Sequence, residues 1–406
     1  MGKVFIQEST LTSIADSIRS KKGTTALIDP ANMATEIASI TTGSGGGLPE
    51  GALTITGDCS YRFANNGWNW FIEEYDNQIT TSGITKGEKM FQGSSNLTNI
   101  PFDINISSGL YYGSMFSGCT QLTAVPPLTF AGDTDVSNLF YSCNNLTSIG
   151  KLSNIKFSSS GPLSMFSMCY KLRYLPEFEN IDYSWLHTYT YVNCSSMFYA
   201  CYSLRNIDES LLNNLYNSAT SFYSNFYKDA FTYCFVLDEL KGIHPTPATI
   251  KSNFFSGTFT QCSRLKNMTF ETQADGTPYT VSWKAQTIDL SIYIGYANAS
   301  TPITTDYNSG ITADKQVTDD ATYQALKNDP DWFTTDIAYS RYNHDSAVAT
   351  INSLPDTSAY LATAGGTNTI KFKGASGSAT DGGAINTLTE EEIAVATAKG
   401  WTVSLV

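Results

Sequence analysis

The hydrophobic positions of this chain fall into one recurring frame. From Met90 onward a usually apolar residue is followed by Phe, two variable residues, Cys, two variable residues, Leu, two more, and an aliphatic position. Copies begin at Met90-Phe91, Met115-Phe116, Leu139-Phe140, Met165-Phe166, Met197-Phe198, Ala230-Phe231 and Thr258-Phe259, at spacings of 25, 24, 26, 32, 33 and 28 residues. Self-similarity at such a period is the signature of stacked coils, and spacing that varies while the motif holds puts the insertions in loops on one side. Phe and Cys stand three apart, which predicts a short helical turn carrying both on one face. Leu and the later aliphatic residue predict a strand, clearest after Leu265, where Met268 and Phe270 alternate with polar neighbours.

Stacking would align like with like, so the expected core comprises Phe116, Cys119, Leu122, Phe140, Cys143, Leu146, Phe166, Cys169 and Leu172. It continues through Phe198, Cys201, Leu204, Phe231, Cys234, Leu237, Phe259, Cys262 and Leu265. Six of the eight cysteines share one repeat position, and Ser94 takes that place in the first copy. A position that accepts Ser does not need sulfur chemistry, which favours small buried side chains over metal, redox or disulfide roles. Cys59 and Cys194 fall outside the pattern and form no disulfide framework.

Outside the repeats the pattern changes twice. Ser9 or Thr10 reads as an N-cap for a short helix with Leu11, Ile14 and Ile18 on one face, and Asp29-Pro30 opens a second with Met33, Ile37 and Ile40 on one side. Two helices this short bury no core alone and should dock on a larger partner or on their own copies, or, as the plainer reading, pack against the repeats. Residues 41–47, Thr-Thr-Gly-Ser-Gly-Gly-Gly, read as a tether. Towards the end the pattern predicts helices over 346–354 and 389–399 and strands over 368–373 and 401–405. Thr389 serves as cap, three glutamates occupy the first turn, and Gly400 is the stop. Residues 293–331 show no clear period. The reading is an α/β repeat solenoid of leucine-rich type with a small N-terminal helical anchor and a C-terminal α/β capping region. Its divisions are 1–42 anchor, 43–51 linker, 52–275 repeats and 276–406 cap.

Composition narrows the function. Charged residues are 15% and aromatics 13%, with 24 basic against 37 acidic side chains and a net charge of −13. That balance suits recognition outside a cell and opposes nucleic-acid binding, which needs clustered cations. Neither a signal peptide nor a membrane-length apolar run is evident, so an extracellular role implies release by another route, as with phage particles freed by lysis.

The motif Met/Ala-Phe-x-x-Cys-x-x-Leu-x-x-Ile, over residues 90 to 270, resembles the BspA-type leucine-rich repeat of bacterial and phage surface-binding proteins. The ending Leu388-Thr389-Glu390-Glu391-Glu392-Ile393-Ala394-Val395-Ala396-Thr397-Ala398-Lys399-Gly400-Trp401-Thr402-Val403 is similar to closing segments of such proteins from gut bacteriophages. Residues 11–19 and 33–37 resemble segments that begin phage tail and fibre proteins. The resemblance implies attachment to host-surface molecules and supplies no catalytic residue. The expectation is a non-enzymatic virion protein, made in the host cytoplasm and extracellular after release. It would bind other virion proteins through its N-terminal helices and a host-surface glycan or protein through the repeats, without membrane insertion and as a homo-oligomer. A structural decoration protein, a glycan depolymerase and a bacterial surface adhesin are the alternatives.

No cofactor is expected. His187, His244 and His344 share no metal-ligand spacing, and the half-site that His187, Cys194 and Cys201 could form competes with the core role of Cys201. Glu177/Glu179 and Asp319/Asp320 could in principle act as glycosidase acid and base, but solvated loop carboxylates read the same way. The stronger signal is aromatic. Tyr141, Tyr170, Tyr199, Tyr202 and Tyr233 flank the repeat Phe or Cys, and Tyr183, Tyr189 and Tyr191 lie in the fourth-to-fifth insertion. Tyrosines among Ser and Asn resemble a paratope, or else pack between loops.

Overall fold

The computed structural model describes residues 53–65, 79–100, 102–106, 111–131, 133–157, 161–183, 193–205, 207, 211–214, 227–234, 237–245, 250, 254–260, 262, 265, 267–291, 342, 344–372 and 388–406. The expected helical anchor, including Leu11, Ile14, Ile18, Met33, Ile37 and Ile40, lies outside them. The chain divides into two compact units, 1–54 with 75–80 and 55–74 with 81–406, and almost all described residues belong to the second.

Among the described residues the strands are β1 (Leu53–Asp58), β2 (Ile79–Lys86), β3 (Ile104–Asn105), β4 (Ala124–Val125), β5 (Leu128–Thr129), β6 (Asp133–Thr134), β7 (Ser148–Ile149) and β8 (Leu152–Ser153). They continue as β9 (Lys156–Phe157), β10 (Phe178–Glu179), β11 (Glu239–Ile243), β12 (Asn267–Phe270), β13 (Thr287–Leu290), β14 (Asn368–Phe372) and β15 (Trp401–Leu405). The helices are α1 (His344–Ser353), α2 (Ser358–Ala364) and α3 (Glu390–Ala398), with a further helical segment at 211–214.

This arrangement corrects the expected leucine-rich-type α/β solenoid with a helical anchor. The parallel strands are short and fall into small separate sheets, none closed and none running the length of the repeats. The widest has four strands in the order β10-β8-β5-β3, in parallel register Ile104↔Leu128↔Leu152↔Phe178. The physical reason lies in the Phe-to-Cys segments, which are successive hydrogen-bonded turns and not helices. The N–H groups of Met90, Gln92 and Ser94 reach back three residues to the carbonyls of Gly87, Lys89 and Phe91. Those of Lys89, Phe91 and Gly93 point instead along the stack, to Gly113, Met115 and Ser117 at 3.1, 2.8 and 2.7 Å. An α-helix would consume both sets internally.

The alternation depends on a left-handed residue two positions before and two after each Phe. These pairs are Lys89/Gly93, Ser114/Gly118, Asn138/Ser142, Ser164/Met168, Ser196/Ala200 and Asp229/Tyr233, all at φ between 50° and 77°. Gly, Asn, Asp and Ser fill most of these places, as the backbone conformation favours. Tyr61/Asn65 flank Phe63 in the same way, and Phe63 donates its N–H to the Met90 carbonyl at 2.9 Å. An eighth turn therefore precedes the seven that the motif reveals. Cys59 and Cys194, expected outside the pattern, also occupy one common place: each lies four residues before its Phe and accepts the turn hydrogen bond of the residue three further on.

Side chains repeat as regularly as the backbone. The rings of Phe63, Phe91, Phe116, Phe140, Phe166, Phe198, Phe231 and Phe259 stack in succession with centroids 5.4 to 6.1 Å apart and planes within 29°. Each repeat thiol donates to the carbonyl of the preceding turn's Phe: Cys119 to Phe91 at 3.1 Å, Cys169 to Phe140 at 3.2 Å, Cys201 to Phe166 at 3.0 Å. The Ser94 hydroxyl makes the same bond to Phe63 at 2.7 Å, which explains why Ser is accepted there. Burial pushes the Cys119 thiol up to about 12, so it stays protonated and able to donate. All eight cysteines are free and buried.

Beyond Phe270 the architecture is of another kind. β13, β14 and β15 form a parallel three-stranded sheet with Thr287↔Thr369 and Asn368↔Trp401 in register. α1, β14, α3 and β15 stand where the helix and strand patterns place them. α3 begins with a capping box, Thr389 Oγ1 accepting from Glu392 N at 3.2 Å and the Glu392 carboxylate accepting from Thr389 N at 2.8 Å. The Lys399 ammonium donates to the carbonyls of Ile351 and Asn352 at 2.9 and 2.7 Å, closing the C-terminal end of α1.

Candidate functional site

The turn stack decides which of the candidate tyrosines face outward. Of the candidate tyrosines, those one place after the Phe stay half-buried on the outer surface, whereas those one place after the Cys turn inward between coils. Tyr141 and Tyr199 hold the first position and are half-buried. Tyr170 and Tyr202 hold the second and are buried, at 2% and 0% exposure, with rings stacked 4.5 Å apart and 7° from parallel. These two belong to the packing and not to a surface. Tyr183 is half-buried and tilts against Phe157 at 5.7 Å, while Tyr189, Tyr191 and His187 lie outside the described residues.

Tyr233 completes a cluster with Tyr199. Its backbone sits at φ 63°, two places after Phe231, and its ring meets Tyr199 edge-on at 5.6 Å and 86°. Beside both rings stands Asp229, two places before the same Phe, a residue the sequence reading passed over. Its backbone N–H donates to Ser256 at 3.0 Å and its φ is 54°, so the turn ladder holds it rigidly. The room for its carboxylate comes from Gly257: a Cβ there would lie 2.1 Å from Asp229 Oδ1, and Gly257 itself is at φ 68°. Burial and Tyr233, Asp229 and Tyr141, in that order, push the Tyr199 phenol up to about 12, and burial followed by Asp229 raises that of Tyr233. Burial also raises the Asp229 carboxyl, against the pull of Lys228. The cluster thus offers an aromatic face, an aromatic edge, phenol hydroxyls held protonated and a carboxylate.

The remaining candidates are engaged elsewhere. Glu177 and Glu179 share the Lys151 ammonium, each at 3.2 Å. Asp319 and Asp320 lie outside the described residues. His244 bonds Glu271 through Nδ1 and packs edge-on against Tyr279, and His344 contacts Asp345 and Glu392. No group of three or more potential metal ligands occurs among the described residues, and none of their helices is long and apolar enough to cross a membrane. No protein-family model matches the chain, and no curated protein does either.

Proposed function

We propose that this chain is a non-enzymatic recognition protein that binds a host-surface molecule through the tyrosine-bearing side of its turn stack. The observation that supports the reading is the Tyr141, Tyr199, Tyr233 and Asp229 group. Its members are half-buried, not sealed in the core, and a backbone ladder with a hydrogen bond at every second residue holds them. Rigid aromatic side chains bind at low entropic cost, which is why tyrosine dominates evolved binding surfaces. In this reading the chain is a virion component carried by its N-terminal segment, a setting taken from the similarity of residues 11–19, 33–37 and 388–403 to phage proteins.

The test is binding of the labelled full-length chain to cells of candidate hosts, with a Tyr199→Ala/Tyr233→Ala variant alongside. Saturable binding that falls at least tenfold in the variant is the expected result. Absence of binding to any host, with specific binding to other virion proteins, would replace this reading with that of a structural decoration.

A further inference from the structure

The chemistry of the tyrosine group points to one class of ligand. Asp229 accepts no hydrogen bond from the described residues other than through its backbone, although its side chain is half-buried and its position in the ladder is fixed. A carboxylate held partly out of water with unused acceptor sites gains from a ligand that brings donors to it. The two rings beside it stand nearly perpendicular, at 86°, so they present one flat face and one edge within 5.6 Å. Tyr199 and Tyr233 add phenol hydroxyls, which can donate as well as accept.

Charge selects further. The chain carries a net −13, and a negative group at the centre of the site repels anionic ligands. Lys228, close enough to Asp229 to pull its carboxyl down against burial, already supplies the positive charge that a cationic ligand would bring. What remains is an uncharged ligand with hydroxyl donors around its rim and apolar C–H groups on its faces. Resting on the recognition reading above, we infer that Asp229, Tyr199 and Tyr233 form a binding site for a neutral sugar. One aromatic face stacks on the sugar ring, and the Asp229 carboxylate accepts from two of its hydroxyls. Gly257 serves this site as a positioning residue, since only a residue without a side chain leaves the carboxylate where it stands.

The experiment presents the full-length chain to immobilised neutral oligosaccharides ending in hexose or N-acetylhexosamine, and to their sialylated and sulfated counterparts. Saturable binding to at least one neutral structure is expected, with at least a tenfold loss in Asp229→Gly, a variant that relieves the positive φ and removes every acceptor. Asp229→Asn, equally suited to that backbone, should lose at least threefold, and it carries the test if the glycine variant unfolds. Binding confined to acidic glycans, or neutral binding unchanged in the Asp229 variants, overturns the assignment. Host cells stripped of surface sugars by periodate separate the two levels. Binding that survives the treatment sinks the sugar site and leaves recognition standing, whereas no binding to untreated cells removes the recognition reading itself.

Discussion

The turn stack from Cys59 to Leu265 and the sheet of β13, β14 and β15 solve the same problem by opposite means. In the stack every buried position is used again in the next coil. Phe lies on Phe, each thiol bonds the carbonyl below it, and every second backbone N–H bonds the next turn. In the sheet no contact is repeated. Trp283, Trp401, Tyr342 and Phe372 fill the interior with different shapes, and chains of buried polar groups cross it. Asn368 accepts from Gln286 N at 3.0 Å and donates to the Trp283 carbonyl and to Thr357 Oγ1, both at 3.1 Å. Gln286 accepts in turn from Phe254 N at 2.8 Å, and Thr357 donates to Lys399 O at 2.8 Å. The stack distributes its stability over nearest neighbours, while the sheet concentrates it at a few irreplaceable groups.

The contrast predicts different responses to single substitutions. Phe198→Ala should have the largest effect. The ring lies between those of Phe166 and Phe231, 5.7 and 5.6 Å away, and is wholly buried. Its removal opens a cavity that neither neighbour can fill without leaving the ladder, at a cost of about 3–5 kcal/mol. Urea denaturation followed by tyrosine and tryptophan fluorescence measures it, and a loss below about 1 kcal/mol would mean that the stack closes over the gap. Asn368→Ala comes next. It removes the acceptor of the Gln286 N–H and the donor to the Trp283 carbonyl in the interior, at about 2–4 kcal/mol if no water enters. Because the sheet has no second copy of this network, Asn368→Asp should not rescue it.

How much of this the sequence discloses follows from the same difference. Repetition made the Phe, Cys and Leu positions legible from Met90 to Leu265, and capping residues announced α3 at Thr389 and Gly400. The eighth turn escaped because Asn66 and Asn69 stand where Cys and Leu would complete the motif around Phe63. The helical reading of the Phe-to-Cys segment failed for a physical reason: three-residue spacing puts side chains on one face in a helix and in successive turns alike. The signal that separates them was present. Asn138, Ser114, Asp229 and Gly257 before the Phe, with Gly93, Gly118 and Asn65 after it, are residues that tolerate positive φ. The face of each tyrosine depends on its place within that turn, so Tyr202 was indistinguishable from Tyr199 until the turn was known. The Gln286, Asn368 and Thr357 network ties Gln286 to Asn368, 82 positions away, with no periodicity to mark either.

The finest comparison lies within the stack, between the thiol and the hydroxyl at one position. Cys169 donates to the Phe140 carbonyl at 3.2 Å, and Ser94 shows that an oxygen at the same place shortens that bond to 2.7 Å. If the donor matters, Cys169→Ser should keep most of the stability, the stronger hydrogen bond offsetting the greater cost of burying a hydroxyl. Cys169→Ala loses the donor and leaves a small void, for a cost of about 1 kcal/mol. The Phe140 carbonyl still receives the Cys143 N–H at 3.1 Å, which keeps the penalty from rising further. Thermal melts of the two variants decide the point. Alanine melting above serine would show that the column needs a small apolar filler and that the S–H···O=C geometry contributes nothing, whereas serine above alanine makes the bond the reason that Ser94 can stand in for the repeat cysteine.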